Sequence, residues 1–303
     1  MRRRTLLATA TLILLTSQGC STLAARVAAS ALTSGGDTYA TDDDPELVRD
    51  AVPFGLKTME AVLASDPKNE HLLLAICSGY TQYGYAFVAA DADAADLDGR
   101  LAEAKALRAR AKRLFLRARD YGLRALDVER GGLGARLKAV RDLPAVLGAA
   151  KQEDVPYLYW TASAWTLAIV SGKADLGLVA ELPAPVAMME RALALDESWS
   201  EGSIHEFFIA YDATRTEREG GSAARVRAHH DRALQLSMNQ KLGPRVSLAE
   251  GLLVQTQDRA AFTATLEEVL KADLDAAPRF RLVNTLAQRR ARLLLDHADD
   301  LFL

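Results

Sequence analysis

Apolar residues recur at helical spacing along Pro185–Tyr211, PVAMMERALALDESWSEGSIHEFFIAY. Val186, Met189 and Leu193 mark one arm; Ile204, Phe207, Phe208 and Tyr211 mark a second at i, i+3, i+4 and i+7. Between them Asp196-Glu197-Ser198 breaks the period and supplies helix-capping side chains. The pattern predicts two amphipathic helices lying side by side and antiparallel. One such hairpin cannot bury its apolar face alone, so neighbours of the same kind are required.

The phrase closing the first arm, Ala192-Leu193-Ala194-Leu195-Asp196, has relatives along the chain. They end at Asp66, Asp127, Ser237 and Asp273, so the five ends are separated by 61, 69, 41 and 36 residues. The shorter gaps are close to one helix pair and the longer to two, near the ~34-residue period of tetratricopeptide repeats. The aromatic and glycine signature of a first repeat helix is mostly missing, with Gly79 and Gly251 as remnants. The same periodicity predicts helices over Pro45–Ala64, Asn69–Ala90, Leu101–Asp127, Leu133–Val140, Ser222–Leu236, Pro244–Gln255, Arg259–Lys271 and Ala277–His297. Asp42-Asp43-Asp44 before Pro45 is a good helix start, since acids suit the N-terminal dipole and proline the first turn. Strand-like alternation never extends beyond a few residues. The predicted fold is all-α, an array of degenerate tetratricopeptide-like helix pairs forming an α-solenoid.

Composition agrees. The chain has 303 residues, is 50% hydrophobic and 6% aromatic, and can bury a sizeable core. Its formal charge of −3 argues against a nucleic-acid partner. Arg110, Arg113, Arg117 and their neighbours on Leu101–Asp127 read as a solvated helix face with acids nearby.

The N-terminus reads as a targeting segment. Arg2, Arg3 and Arg4 precede the apolar run Leu6–Thr16, which is too short to span a bilayer comfortably. Ser17-Gln18-Gly19-Cys20 resembles a bacterial lipobox; a plain secretory signal cut nearby is the alternative. The expected organisation is a lipoprotein signal over 1–19, lipidated Cys20 and a tether over 20–44, and a helical repeat domain over 45–303. Ser21 after the cysteine favours the outer membrane. Cys77, the other cysteine, sits in an apolar segment and reads as a small core residue.

Chemistry-bearing motifs are sparse. His205-Glu206 lacks the second His four residues on that a zinc-protease helix requires, because that position is Ile209. His229 and His230 are adjacent and diverge by about 100° on a helix. There is no phosphate-cradling loop and no nucleophile elbow, so no enzyme and no cofactor are expected. Two aromatic clusters remain: Tyr80 to Tyr85, thinned by Gly79 and Gly84, and Tyr157 to Trp165. Glycine inside a helix costs about 1 kcal/mol, so this pair suggests close approach by a helix or a ligand. The aromatics read either as packing or as an aromatic-walled cavity or channel formed by Tyr80, Tyr83, Trp160 and Trp165, with Gln82, His205 and Glu206 as its polar groups. A buried Glu206 needs a partner, for which an arginine or His205 is at hand.

Taken together, several segments resemble the TatT family, tetratricopeptide-repeat lipoproteins associated with TRAP (tripartite ATP-independent periplasmic) transporters. They are Asp42–Arg49, Pro53–Lys57, Ser78–Tyr83, Tyr159–Ala162, His205–Phe208 and Ala287–Ala291. The resemblance implies a periplasmic, lipid-anchored homotrimer that engages a TRAP solute-binding protein and passes a hydrophobic or organic-acid ligand through a central channel. An envelope scaffold that binds a peptide or protein without any small ligand is the competing expectation.

Overall fold

The computed structural model describes residues 36–303, apart from 140, 216–217 and 219–220. The expected signal segment and Cys20 lie outside the described residues. The described part is all-α, with no strand among the described residues.

Helix α1 (Pro45–Leu63) starts where the sequence predicts. Asp44 caps it by accepting from the Leu47 amide at 3.0 Å, and Pro45 fills the first turn. Asn69 caps α2 (Glu70–Tyr83) in the same way. The sequence suggests a single helix to Ala90, but α2 passes into a π-helical turn, Gly84–Ala89, and resumes as α3 (Ala90–Leu97). There follow α4 (Leu101–Glu129), α5 (Val155–Ser171), α6 (Pro183–Leu195), α7 (Ser203–Ala213) and α8 (Ala223–Leu236). Helix α9 (Gly243–Leu248) runs into a second π-helical turn, Ala249–Leu253; α10 (Arg259–Lys271) and α11 (Arg281–Asp296) complete the set.

Successive helices pack in pairs: α2 on α4, α4 on α5, α5 on α6, α7 on α8, and α10 on α11. The stretch Pro185–Tyr211 is therefore not a hairpin. Helix α6 lies mainly on α5 and α7 mainly on α8, and the two touch only slightly. Its Leu-Asp ending closes one pair, and the next pair begins after a linker in which Ser200, Glu201 and Gly202 are all left-handed. That turn redirects the chain instead of folding it back.

Two apolar cores result. One gathers side chains from α1 to the start of α7, including Leu72, Ile76, Phe115, Leu158, Trp165 and Met188. The other gathers Ile209, Ala233, Phe262, Leu266, Ala291 and Leu294. Helix α11 touches both, since Leu282 and Leu286 pack on the first core while Ala287 and Leu294 enter the second. It also returns to the start of the fold, where Arg289 grips the Glu46 carboxylate at 2.5 and 2.8 Å.

Glycines on α2 and α4 let the first core close. A Cβ on Gly79 would come within 2.6 Å of Leu56, so α1 is the helix that approaches there. At Gly122 three helices meet: a Cβ would lie 2.2 Å from Thr161 Oγ1 and 2.9 Å from Cys77 Sγ. Cys77 is fully buried, as expected of a core thiol, and burial pushes its pKa up to about 12. Gly122→Ala should destabilise the fold by about 1–3 kcal/mol through overpacking, read as a lower urea midpoint with unchanged slope. An unchanged midpoint would show that α4 and α5 can separate freely at this crossing.

The basic helix α4 meets its acids as its composition suggests. Arg108 reaches Asp96 at 2.7 Å, Arg117 reaches Glu60 at 2.6 Å, and Lys112 reaches Asp175 at 2.9 Å.

Candidate functional site

The residues singled out from sequence fall into separate surroundings. Tyr80 and Tyr83 are buried beside α4, with the Arg117 guanidinium 5.2 Å from the Tyr80 ring and Arg110 6.0 Å from that of Tyr83. Burial, then the nearby Glu60 charge, pushes the Tyr80 phenol up to about 12. Gln82 is exposed. Trp165 is fully buried in the first core, where its indole N–H donates to Glu181 Oε2 at 2.7 Å and Arg119 stacks 5.4 Å from its ring. Trp160 is half-buried in an aromatic trio, with centroids 5.0 Å from Tyr159 and 6.4 Å from Trp199. His205 and Glu206 open α7. His205 Nδ1 lies 2.8 Å from His229 Nδ1. The partner of Glu206 is neither an arginine nor His205 but Lys241, at 3.2 Å, because the loop after α8 brings that ammonium over the N-terminus of α7.

A different set converges. It is organised by the two π-helical turns, each of which inserts one residue and rotates the side chains beyond it; such turns recur at functional sites. The first places Tyr85 and the second Glu250. Gly84 admits Phe115, whose Cε1 would lie 2.7 Å from a Cβ there, and Gly251 admits Ala213 at 2.8 Å. Each turn is therefore fixed against a neighbouring helix on one side.

Tyr85 is 61% exposed, yet desolvation, followed by the charges of Glu250 and Asp93 and against that of Arg290, pushes its phenol up to about 12. A side chain that is wetted and also surrounded by protein lines a concavity. Tyr159 has the same character: it is half-exposed, and its pKa is raised by desolvation and then by the Glu206 charge. The neighbouring Ser163 and Ser203 hydroxyls work against that rise, and the ionisation of Tyr85 adds to it. Tyr85 and Glu206 thus both lie within electrostatic reach of Tyr159.

Near Tyr85, whose phenol feels the charges of Glu250, Arg290 and Asp93, lies a cavity of about 290 Å³, lined by Asp93, Asp96, Arg108, Glu250, Arg290 and the apolar Leu97, Val254, Leu294 and Leu301. Arg290 binds Glu250 and lies 3.4 Å from Asp93. Burial works against its charge, but the hydrogen bond to Glu250 and the charges of Glu250 and Asp93 outweigh it and raise its pKa. Asp93 moves upward through desolvation, which these arginines only partly offset. Near Tyr159, Lys241 joins Glu206 to Ser203 Oγ at 2.8 Å and the Ser200 carbonyl at 2.7 Å. Each of the two phenols therefore stands beside a set of paired charges. Such groups can hold a ligand by stacking and hydrogen bonds without a stranded charge.

Among the described residues, no group of three or more His, Cys, Asp or Glu is placed to hold a metal ion. No helix among them is long and apolar enough to cross a membrane.

Sequence reasoning passed over Tyr85, Trp199, His229, Lys241, Glu250 and Arg290 as site residues. Only Tyr85 carried a local signal, the glycine beside it; the others gather through contacts tens of residues apart.

A family model described as "TAtT: TRAP transporter T-component" matches residues 41–302. A protein of Treponema pallidum (strain Nichols), described as "Uncharacterized protein", is 28% identical over 267 residues, covering 88% of this chain and 82% of its own length.

Proposed function

The chain belongs to the TRAP transporter T-component family, a class of accessory components in TRAP transport, and we propose that it docks a periplasmic solute-binding protein while its interior surface carries a ligand. The observation behind the ligand reading is that the phenols of Tyr85 and Tyr159 each stand beside a set of paired charges, one set lining a cavity with apolar walls. Pairing in both sets leaves no stranded charge, so a hydrophobic body with a polar head suits these surroundings better than a bare polyanion. Tetratricopeptide-like pairs, a homotrimer and a periplasmic location rest on the resemblance, the lipid on Cys20 on the lipobox-like Ser17–Cys20, and the outer membrane on Ser21. A diacylated cysteine with an added N-acyl chain is enough for stable anchoring.

The test is a tagged pull-down from solubilised native membranes, with native mass spectrometry of the recovered protein. The expected result is a TRAP solute-binding protein in stoichiometric yield and a bound small molecule that is lost in Tyr85→Ala. Recovery of envelope-assembly proteins alone would replace docking with a scaffold role. Docking without any bound molecule would remove the ligand from the proposal.

A further inference from the structure

His205 is 6% exposed and sits at the start of α7, and its Nδ1 is bonded to Nδ1 of His229 on α8. Two nitrogens 2.8 Å apart share one proton, so one ring donates and the other accepts. Carboxylates stand at the outer ends of the pair: Glu197 Oε2 lies 3.4 Å from His205 Nε2, and Asp212 Oδ2 lies 4.0 Å from His229 Nε2. His205 Nε2 is buried and makes no hydrogen bond.

Two neutral imidazoles carry two N–H groups: one lies in the shared bond, and the accepting ring holds the other on its outer nitrogen. The donating ring must then aim a lone pair at a carboxylate, whichever ring donates. A single added proton on that bare outer nitrogen would complete a continuous chain from Glu197 through both rings toward Asp212. A second would remove the accepting lone pair and set two imidazolium rings against each other.

The surrounding charges balance. Arg232 of α8 binds Glu197, and Arg225 binds Asp212 at 2.7 and 3.1 Å. Phe208 stacks on His229 at 5.1 Å, sealing that side. Glu197 belongs to the linker that carries the left-handed residues Ser200, Glu201 and Gly202.

We propose that His205 and His229 form a binding site for one proton, taken up by the pair between Glu197 and Asp212, and that filling it draws the 196–202 linker onto the α7–α8 pair. The proton comes from water and returns to it. Glu206, next along α7, ties this device to the surroundings of Tyr159. Burial holds both imidazoles below their ordinary pKa of 6.5, so the site stands empty at neutral pH and fills on acidification. Because the unfolded chain takes its protons first, from about pH 6.5 downward, stability falls with acidification across this window.

Ring-nitrogen NMR of the intact chain between pH 8 and 5 tests the proposal. His205 and His229 should titrate as one event, taking up one proton between them with a midpoint below 6.5. The midpoint should fall by about a unit or more in Glu197→Gln, which removes the facing charge. Amide exchange over Ser198–Gly202 should slow several-fold as the site fills. Two independent titrations in the ordinary imidazole range would overturn the proposal, as would a midpoint indifferent to Glu197→Gln. Should that variant fail to fold, the coupled or independent titration of the unmodified chain decides alone.

Discussion

Trp165→Ala should be among the most destabilising single changes in the first core, lowering the unfolding free energy by about 3–5 kcal/mol. The indole is fully buried, so truncation opens a large void among Leu158, Ile169 and their neighbours. It also removes the donor to Glu181 Oε2 and the ring beneath Arg119, itself only 7% exposed. Arg119 retains Glu181 at 3.1 Å and Asp120 at 2.9 Å, so its charge stays paired and the void dominates the loss. Trp165→Phe keeps most of the apolar volume and loses mainly the hydrogen bond, for about 1–3 kcal/mol. Urea unfolding followed by circular dichroism separates the two, since the substitutions themselves change the tryptophan fluorescence. If instead both variants stay within about 0.5 kcal/mol of the parent while ligand binding disappears, Trp165 is a wall residue and not a packing one.

That contrast shows where the sequence speaks and where it is silent. Helix boundaries are local events. Asp44 before Pro45 and Asn69 before the Leu72 run can be read because a cap and its amide lie three residues apart. The glycines at 79 and 84 can be read as close approaches for the same reason, although the partners, α1 and the Phe115 ring of α4, cannot be named in advance. The facing of Trp160 and Trp165 is another matter. Helix α5 has no charged residue over Val155–Ser171, so no polar stripe tells which side is buried. A five-residue step turns about 140°, and only the neighbours α4 and α6 decide that Trp165 goes inward.

The π-helical turns were invisible for a related reason. Each shifts the periodicity by one residue within an otherwise continuous apolar run, and single-residue drift is smaller than the slack in a helical pattern. Tyr85 therefore reads as one more member of the buried Tyr80 and Tyr83 face, whereas beyond the turn it is 61% exposed and near the charge of Glu250. Pairings such as His205 with His229, or Glu206 with Lys241, join residues 24 and 35 positions apart. They depend on how α7 and α8 pair, and reading Pro185–Tyr211 as a hairpin assigned α7 the wrong partner.

Lys241→Met should cost about 3–5 kcal/mol, because it strands a polar cluster while keeping the length of the side chain. The lysine is 8% exposed, and its three donors are all engaged: the Ser200 carbonyl, Ser203 Oγ and Glu206 Oε1. The first of these matters beyond its own hydrogen bond. Ser200 and Glu201 both hold φ near +47°, a conformation that strains any residue with a Cβ and persists only where surroundings enforce it. Without the ammonium the Ser200 carbonyl loses its anchor, and Glu206 is left as an uncompensated carboxylate beside Tyr159. Removing that carboxylate as well, in Lys241→Met with Glu206→Leu, should restore most of the lost stability, since a matched pair of apolar groups strands nothing. The double-mutant cycle is read from urea midpoints of the four proteins. A double variant as unstable as Lys241→Met alone would mean that the Ser200 turn, and not the charge on Glu206, is what the lysine holds in place.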